Sequence, residues 1–336
     1  MRKYLLPKEG KFYKANLHMH TTISDGQLTL EETKKMYMEK GYSIVAFTDH
    51  EVMVPHNDLT DENFLAITST EISFNITYER EFTYNKVYHL NFYSKDPLKD
   101  WYNTFTRKRL WLKQSEPYIT SKQEEIDFPR VYSTECVNQI IKKAKEDGCL
   151  VSYNHPVWSL QSYSDYIGLK GLWGVEWFNT GCVVAGYIDT IQPIDDLLRV
   201  GENVFPLATD DAHELSHCFG GWVNVKSTSL DYDTVFKALE NGDFYSSTGP
   251  EIKELYIEDG LIYIHTSPVS KIILTTERRH TEFINGENLI NGIIDINSYL
   301  NKSKQNVNDN QYIRITVIDK YGKTAYTRGY RIKELI

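Results

Sequence analysis

The stretch from residue 12 to residue 50 reads FYKANLHMHTTISDGQLTLEETKKMYMEKGYSIVAFTDH. Thr29 and Glu32 have the spacing of a capping box, which starts a helix, and Gly41 is placed to end it. The apolar run at residues 44–47 then has the length and composition of a buried strand. The stretch therefore predicts a helix that feeds a strand, the unit from which α/β folds are built.

The same stretch carries four potential metal ligands, His18, His20, Asp25 and His50. In an extended segment the side chains of residues i and i+2 project from the same face, so His18 and His20 can point both imidazoles into one pocket. Imidazole nitrogens and carboxylate oxygens are ligands that zinc, manganese and iron accept. A cluster this dense is hard to explain as core packing, and it indicates a metal site.

Helical and strand patterns alternate as far as about residue 247. Ser133 is placed to cap a helix and Gly148 to stop it. A strand at residues 150–153 follows, and His155 lies where this strand ends. Further strands of this kind are predicted at residues 64–68, 87–93, 172–178 and 204–208.

Parallel barrels and open α/β sheets place their chemistry at the carboxyl ends of the strands. Four candidate site residues fall near such ends, namely His50, Glu71, His155 and Asp211. We therefore expect them to lie at one edge of the sheet.

Between about residues 95 and 131 the periodicity fades into a stretch rich in aromatic and charged residues. We predict that this stretch is an insertion. One interpretation is a helical excursion packed on the barrel, and the other is a lid that supplies substrate contacts.

After residue 250 the pattern changes to antiparallel β structure. Asp259-Gly260 lies between two alternating segments, which is a strong hairpin signal. A second hairpin is predicted to join residues 313–318 with residues 324–330, and a polar, Asn-rich loop is predicted near residues 301–310. We thus expect two domains, residues 1–250 and a small β-sandwich-like domain at residues 251–336.

The chain has 336 residues, a net charge of -9 and four cysteines. The charge argues against a broad surface for extended nucleic acid, which needs clustered Lys and Arg, but allows a local basic pocket for one small anion. The cysteines form no C-x-x-C pair and fit reduced, mostly buried thiols. Because no secretory segment and no membrane span are predicted, we expect a cytoplasmic protein that does not bind membranes, and we leave its oligomeric state open.

The predicted ligand set consists of histidines and carboxylates that all precede residue 214: His18, His20, Asp25, His50, Glu71, His89, His155, Asp211 and His213. Two or three divalent ions held by them, of manganese, zinc or iron, can share a bridging water, lower its pKa toward about 7 and present hydroxide beside an electrophile. Hydrolysis is the expected reaction. The absence of paired thiolates argues against a closed structural zinc site, which is usually rich in cysteine.

The candidate ligands belong to short motifs, which are His18-Met19-His20, Ser24-Asp25-Gly26, Thr48-Asp49-His50, Glu71, His89, Asn154-His155-Pro156 and Asp211-Ala212-His213. At these motifs the sequence resembles the PHP (polymerase and histidinol phosphatase) superfamily of metal-dependent hydrolases. The resemblance covers roughly residues 12–250. It implies an α/β fold, a distorted (β/α)7 barrel of the PHP type, with a centre of two or three metal ions.

The ligand sets that the resemblance implies are His18, His20, Glu71 and Asp211 for one ion, Glu71, His89 and His155 for a second, and Asp25, His50 and His213 for a third. Glu71 would bridge the first two ions. Only its position within the predicted strand at residues 87–93 supports His89.

Residues 242–250, GDFYSSTGP, and the β tail are similar to the CehA/McbA branch of the superfamily, which includes ester and carbamate hydrolysis. Asp25 stands where several relatives have histidine. This departure would weaken the third site or favour manganese over zinc, because oxygen ligands suit harder cations.

Other residues are candidates for supporting roles. His56 and His217 lie close in sequence to His50 and His213, and we consider them, with Glu71 and Asp211, as catalytic residues. The two histidines would donate a proton to the leaving group, and the alternative for each is a surface role. Glu176 and Asn179 would orient ligands or be purely structural. Four arginines are candidate phosphate clamps: Arg80, Arg107, Arg109 and Arg130.

These observations predict a metal-dependent hydrolase, with a phosphoester of a small molecule as the first choice of substrate. The alternatives are a carboxylic-ester, carbamate or amide hydrolase on the same ions, and a non-catalytic metal-binding module whose β tail recruits a partner or glycan. An arginine-lined pocket would favour phosphate, whereas a mostly apolar one would favour the carbonyl substrate.

Overall fold

The structure, a computed structural model, describes residues 2–75, 86–188, 190–304, 308 and 310–335. In this part of the chain, one continuous mixed sheet of 16 strands is flanked by helices. The strands are β1 (Lys3–Tyr4), β2 (Lys11–Met19), β3 (Tyr42–Phe47), β4 (Leu65–Asn75), β5 (Val87–Ser94), β6 (Cys149–Tyr153), β7 (Gly174–Asn179), β8 (Phe205–Thr209), β9 (Trp222–Ser227), β10 (Phe244–Ser247), β11 (Ile252–Glu258), β12 (Leu261–Thr276), β13 (Thr281–Asp295), β14 (Tyr312–Ile318), β15 (Thr324–Thr327) and β16 (Tyr330–Arg331).

The helices are α1 (Leu30–Glu39), α2 (Ser121–Glu124), α3 (Thr134–Glu146), α4 (Tyr163–Tyr166), α5 (Thr180–Val184), α6 (Gln192–Arg199), α7 (Tyr232–Asn241), α8 (Asn297–Lys304) and α9 (Ile332–Leu335). Short 3-10 turns lie at Asn57–Leu59, Arg107–Arg109, Lys113–Tyr118 and Leu215–His217. None of the described helices has both the length and the apolar character that crossing a bilayer requires.

The structure confirms the predicted start and stop signals of helices α1 and α3. Thr29 and Glu32 form both hydrogen bonds of the capping box at the start of α1. The Ser133 side chain accepts a hydrogen bond from the first turn of α3, whose buried face includes Val137 and Ile140. Helices α1 and α3 end shortly before Gly41 and Gly148, which both have positive φ. The buried strands β3 and β6 begin at the next residue.

Strands β2, β3 and β4 pair in parallel, and so do β6, β7 and β8. Between these two sets, β5 pairs antiparallel with both β4 and β6, so the expectation that residues 87–93 form another unit of the βα kind is wrong. The reason is length: only eleven residues separate Asn75 from Val87, and a parallel crossover needs a dozen or more.

The two ends of this run of strands approach each other at the candidate site. The backbone N–H of Asp211, just after β8, donates to the carbonyl of His18 at 2.9 Å, and Met19 and Ala212 form a parallel bridge. One buried cluster combines side chains from β2, β3, β4, β8 and β9, which therefore share a common core. Closure into a (β/α)7 barrel stays a prediction.

The tail consists of antiparallel pairs, as predicted. The hairpin at Asp259-Gly260 pairs β11 with β12, and β14 pairs with β15. Asn301, which we placed in a loop, lies in α8. β15 also pairs with β10, so the ladder runs on from the tail into the part that carries the site. The division into two domains at residue 250 stays a prediction.

The insertion contains only short helical turns, α2 and the 3-10 turns at Arg107–Arg109 and Lys113–Tyr118. Its residues Tyr102 and Phe105 are buried in the same cluster as α3 and β5. The insertion therefore packs on the sheet, without the long helix that the helical interpretation would suggest.

Candidate metal centre

The nine predicted ligands come from separate stretches of the chain, and the structure brings all nine together. His18 is on β2, His20 follows it, Glu71 is on β4 and His89 is on β5. The others follow β2, β3, β6 or β8. Three groups have ligand atoms that all lie within 4.8 Å of one another: His18, His20, Glu71 and Asp211 in the first, Glu71, His89 and His155 in the second, and His20, Asp25, His50 and His213 in the third.

The first group is the most buried. His18 Nε2 lies 3.3 Å from Glu71 Oε1 and 3.2 Å from Asp211 Oδ1. His20 Nε2 lies 3.3 Å from Glu71 Oε2 and 3.2 Å from the same oxygen of Asp211. Two ligand atoms that bind one tetrahedral ion at about 2.1 Å are about 3.4 Å apart, so these spacings fit a shared cation. Asp211 Oδ1 is buried and has no hydrogen-bond partner among the described residues, as expected of an atom that faces an ion.

The second group shares Glu71 with the first. Glu71 Oε1 lies 3.0 Å from His89 Nδ1 and 3.4 Å from His155 Nε2. Its other oxygen, Oε2, lies 3.3 Å from His50 Nδ1. The two oxygens of one buried carboxylate thus face different imidazoles, which is the arrangement a bridging ligand requires.

The third group lies nearest to solvent. Asp25 Oδ1 is 3.4 Å from His213 Nε2, and Asp25 Oδ2 is 3.5 Å from His50 Nε2. The side chains of Asp25 and His213 are 24% and 31% exposed, whereas those of the first group are 0–11% exposed. His20 contacts this group as well, because its Nδ1 lies 3.5 Å from Asp25 Oδ1. The third group is therefore the one that an exchangeable ion reaches most easily.

Glu176 and Asn179 contact ligands directly, which favours the orienting role over the purely structural one. Glu176 Oε1 lies 2.7 Å from His18 Nδ1, and Glu176 Oε2 accepts a hydrogen bond from the backbone N–H of His155 at 3.0 Å. The Asn179 side-chain amide donates to Asp211 Oδ2 at 3.1 Å. A carboxylate behind an imidazole fixes which nitrogen faces the metal.

Three further residues have supporting roles that the sequence did not predict; Asp49 and Asn154 were quoted only as parts of motifs, and Asp210 was not named. Asn154 donates to Glu71 Oε1 at 2.8 Å. Asp49 accepts from the backbone of Thr21, and Asp210 accepts from the Tyr37 hydroxyl. The available signal was position, since each of the three directly precedes a candidate ligand in the sequence.

The electrostatics of the ion-free site are dominated by carboxylates close to imidazoles. Burial lowers the pKa of His20, but the carboxylates of Asp211 and Glu71 outweigh it and raise this pKa to about 10. Burial raises the pKa of Glu71, and the surrounding imidazoles of His89, His18 and His50 bring it well below its usual value. His50 behaves oppositely, because burial and then the nearby His20 lower its pKa to about 3. Without ions, protons on some imidazoles balance the carboxylates.

A cavity of about 320 Å³ opens above the ligands. Its floor includes ligands from all three groups. Its walls carry aromatic and aliphatic side chains with two small polar ones, which are Val87, Trp111, Trp158, Leu160, Tyr187, Ser73 and Asn75. Lys and Arg are absent from the described lining. Apart from the ligands, the described lining is therefore mainly aromatic and aliphatic and carries no charged side chain.

The two candidate proton donors lie in different surroundings. His56 is buried beside Phe47, with ring centroids 5.2 Å apart, so a surface role for it is wrong. Neither His56 nor His217 is among the described residues that line the cavity. His217 is partly exposed, and its ring centroid lies 6.2 Å from that of His213. A proton-donor role for either histidine stays a prediction.

The three candidate phosphate clamps that the structure describes are not among the residues that line the cavity. Arg130 is fully buried against Glu51, with contacts of 2.7 and 2.8 Å, so the interpretation as a clamp is wrong for this residue. Arg107 is half exposed and pairs with Glu124. Arg109 lies in the same 3-10 turn, and Arg80 lies outside the described residues.

No family model matches this chain, and no curated protein matches it. Among solved structures, it is similar to a two-domain protein of Bacteroides vulgatus that contains a predicted PHP-like metal-dependent phosphoesterase, with 12% identity, 98% of each chain covered and a TM-score of 0.46. An amidohydrolase of Chromobacterium violaceum with bound sulfate and no metal is 12% identical, with 59% of this chain and 87% of that chain covered and a TM-score of 0.35. A lesion-specific endonuclease of Pyrococcus furiosus is 14% identical, with 68% of this chain and 56% of that chain covered and a TM-score of 0.40.

Proposed function

We propose that this protein is a metal-dependent hydrolase of the PHP superfamily that cleaves a phosphoester of a small molecule. The observation that supports it best is the convergence of three ligand groups, at spacings that fit cations, on the floor of one solvent-accessible cavity. A purely structural metal site would be closed, whereas the third group borders open space.

The mixture of nitrogen and oxygen ligands suits manganese, zinc or iron, and Asp25 in the third group favours manganese there. When bound, such ions lower the pKa of a coordinated water and neutralise charge on phosphoryl oxygens. Glu71 belongs to two ligand groups, and Asp211 Oδ1 faces both His18 and His20 of the first group, so we assign these two carboxylates the central holding role.

The chain's own residues prepare the site. Glu176 orients His18, Asn154 orients Glu71, and the ring of Trp158 stands 4.9 Å from that of His155 at the cavity wall, where it excludes water. His217 is our choice for the group that donates a proton to the leaving oxygen, because it stands beside His213 in the more exposed third group.

A second candidate function is hydrolysis of a carboxylic ester, carbamate or amide on the same ions. The observation that favours it is the wall of the cavity, where Trp111, Trp158 and Tyr187 are present and the described lining contains no Lys or Arg. Among the described lining residues, no cation other than the bound ions would balance the charge of a phosphate dianion, whereas an uncharged carbonyl substrate would gain from contact with the aromatic wall.

Metal analysis of the purified protein, followed by turnover assays, tests both candidates. Phosphomonoesters, phosphodiesters and carboxylic esters would be assayed with Mn²⁺, Zn²⁺ and Fe²⁺. Turnover of phosphoesters supports the first proposal, and turnover of carboxylic esters alone replaces it with the second. Bound metal without turnover of any substrate would favour a non-catalytic metal-binding module, and a protein that binds no metal would contradict all three.

A further inference from the structure

We propose that the insertion at residues 95–131 braces the third ligand group and so determines whether that group holds an ion. The inference rests on the metal-dependent function proposed above. It assigns the insertion a role that differs from a lid, because the contacts that carry it are made to the backbone next to the ligands.

The first contact holds the backbone next to His50. Glu51 follows this ligand directly and has a positive φ of 63°, a conformation that a residue with a Cβ keeps only when its surroundings hold it. The N–H of Glu51 donates to the carbonyl of Glu71 at 2.9 Å. The carbonyl of Glu51 accepts a hydrogen bond from the Tyr102 hydroxyl at 3.1 Å. The backbone of Glu51 is therefore held by β4 through its N–H and by the insertion through its carbonyl.

The carboxylate of Glu51 is fixed as well. Both terminal nitrogens of Arg130 donate to it, at 2.7 and 2.8 Å. The Tyr102 hydroxyl lies 2.9 Å from it, so the carboxylate and the carbonyl of Glu51 share the single hydroxyl proton. Arg130 in turn donates to the carbonyl of Thr104 at 3.0 Å, within the insertion. The side chains of Glu51 and Arg130 are only 1% and 0% exposed. A buried two-point contact of this kind allows little rotation, so the insertion sets the direction in which the chain leaves His50.

The second contact holds the loop that carries Asp25. The Ser115 hydroxyl, which is buried, donates to the carbonyl of Ile23 at 2.8 Å, and the Gln114 amide donates to the carbonyl of Ser24. These two carbonyls immediately precede Asp25 in the chain. The insertion thus holds the backbone beside two ligands of the third group, which are otherwise far apart in sequence.

The other groups have different supports. Glu176 and Asn179, which contact the first group, lie on β7, and Asn154, which contacts Glu71, follows β6. Weakening the insertion should therefore affect the third ion selectively, although Glu51 also touches the backbone of Glu71.

The test is the number of ions bound by the double variant Tyr102→Phe/Ser115→Ala, measured by equilibrium dialysis against Mn²⁺ and elemental analysis. Each change removes a hydroxyl and leaves the Arg130–Glu51 pair in place. We expect the wild type to bind three ions, and the variant to bind the third about 10- to 100-fold more weakly, with its other two affinities unchanged. Two variants serve as controls. Tyr232→Phe removes a tyrosine hydroxyl that donates to the carbonyl of Ser94 at a partly buried site, and Lys108→Ala changes an exposed residue of the insertion.

The outcomes separate the inference from the proposed function. A variant that binds three ions with wild-type affinity, or that loses affinity equally for all ions, would overturn the brace. A wild type that binds only two ions would also overturn it, yet would leave the hydrolase proposal intact. A wild type that binds none would remove both. Circular dichroism of the double variant checks that it is folded, and Tyr102→Phe alone, with the same dialysis, replaces it if it is not.

Discussion

The side chains of the site divide into those that face the candidate ions and those that hold them in place. Glu71 and His20 are of the first kind, because their atoms lie 3.0–3.5 Å from other ligand atoms on more than one side. Glu176 and Asn154 are of the second kind, since each makes a hydrogen-bond contact of 2.7 or 2.8 Å with a ligand. Removing a ligand should abolish a site, whereas removing a support should only weaken it.

His20→Ala should remove activity and lower the metal content, because His20 Nε2 faces both Glu71 and Asp211 in the first group. His280→Ala is the matched control, as this histidine is half exposed and pairs with Glu282 in the tail. Elemental analysis and turnover assays on both variants check the prediction. Unchanged turnover in His20→Ala would count against the site.

The response to pH should differ between the ion-free and the metal-loaded protein. The pKa of His20 is raised from 6.5 to about 10, so its proton stabilises the ion-free fold below pH 6.5 and this stabilisation is lost as the pH rises through about 10. The pKa of Glu71 is lowered from 4.5, so its charge stabilises the fold above pH 4.5 and this contribution is lost as the pH falls. From these two groups, we expect the ion-free protein to be most stable between about pH 4.5 and about pH 6.5, where both contributions are complete.

Ions must displace the imidazole protons, so we expect Mn²⁺ to raise the melting temperature more at about pH 8 than at about pH 6. Scanning fluorimetry with and without Mn²⁺ measures this difference. In weakly buffered solution at about pH 8, Mn²⁺ binding should also release protons. An equal effect of Mn²⁺ at both pH values, with no proton release, would contradict the assignment.

The elements of the fold place the ligands through the loops that follow their strands. His155 and Asp211 follow β6 and β8, and both have positive φ, 27° and 49°. Such backbone conformations in residues with a Cβ are concentrated where tertiary contacts hold a functional side chain. The insertion also helps to place a ligand, because its Arg130 forms a buried ion pair with Glu51, the residue that follows His50.

Arg130→Met should destabilise the fold by about 3–5 kcal/mol, because it leaves the buried carboxylate of Glu51 without its cation. Glu51→Met should be destabilising for the converse reason. The double variant Glu51→Met/Arg130→Met should recover most of the loss, since neither charge then remains buried alone. Urea unfolding of the three variants measures the coupling, and additive losses would show that the pair does not act as a unit.

The loop after β6 contributes Trp158 to the cavity wall, where this side chain is 38% exposed. Trp158→Ala should raise the KM for the preferred substrate about tenfold, equivalent to about 1.4 kcal/mol of lost contact, with metal content unchanged. Trp101→Ala, in the insertion but outside the described cavity lining, should have the wild-type KM. Steady-state kinetics on both variants measure these KM values. A fall in the metal content of Trp158→Ala would show instead that the ring supports His155.

At the scale of the whole molecule, the tail is joined to the site-bearing part by more than a linker. Arg314 forms a buried pair with Asp195 of α6, at 2.9 and 3.1 Å. The ring of Trp177, on the strand that carries Glu176, packs at 4.6 Å against that of Tyr326. The tail therefore contacts β7, the strand whose Glu176 supports the first ligand group.

This coupling predicts a single cooperative unfolding transition. All six tryptophans lie before residue 250, so their fluorescence reports on the site-bearing part, whereas far-UV circular dichroism also reports on the strands of the tail. We expect the two signals to give the same melting temperature, because the ladder and the Arg314–Asp195 pair cross between the parts. Two well-separated transitions would show that the parts unfold independently.

The sequence alone predicted the features that depend on neighbouring residues. The capping box at Thr29, the buried face of α3 and the hairpin at Asp259-Gly260 follow from local backbone sterics and side-chain periodicity, and the structure confirms them. The candidate ligands were predicted from short motifs such as His18-Met19-His20 and from the resemblance that these motifs carry, and His89 only from its position in a predicted strand. That these ligands hold ions remains a prediction.

Only the tertiary structure determined which distant groups meet. The antiparallel direction of β5 depends on how residues 75 and 87 pair across a short connection, and no periodicity within the strand encodes it. The same is true of the contact between Glu176 and His18. It is also true of the burial of Arg130 against Glu51, since the sequence predicts Arg130 only as one of four candidate phosphate clamps. Hydrogen bonds and ion pairs between residues far apart in sequence are decided by the packing of the whole chain, because a side chain's type does not specify its partner.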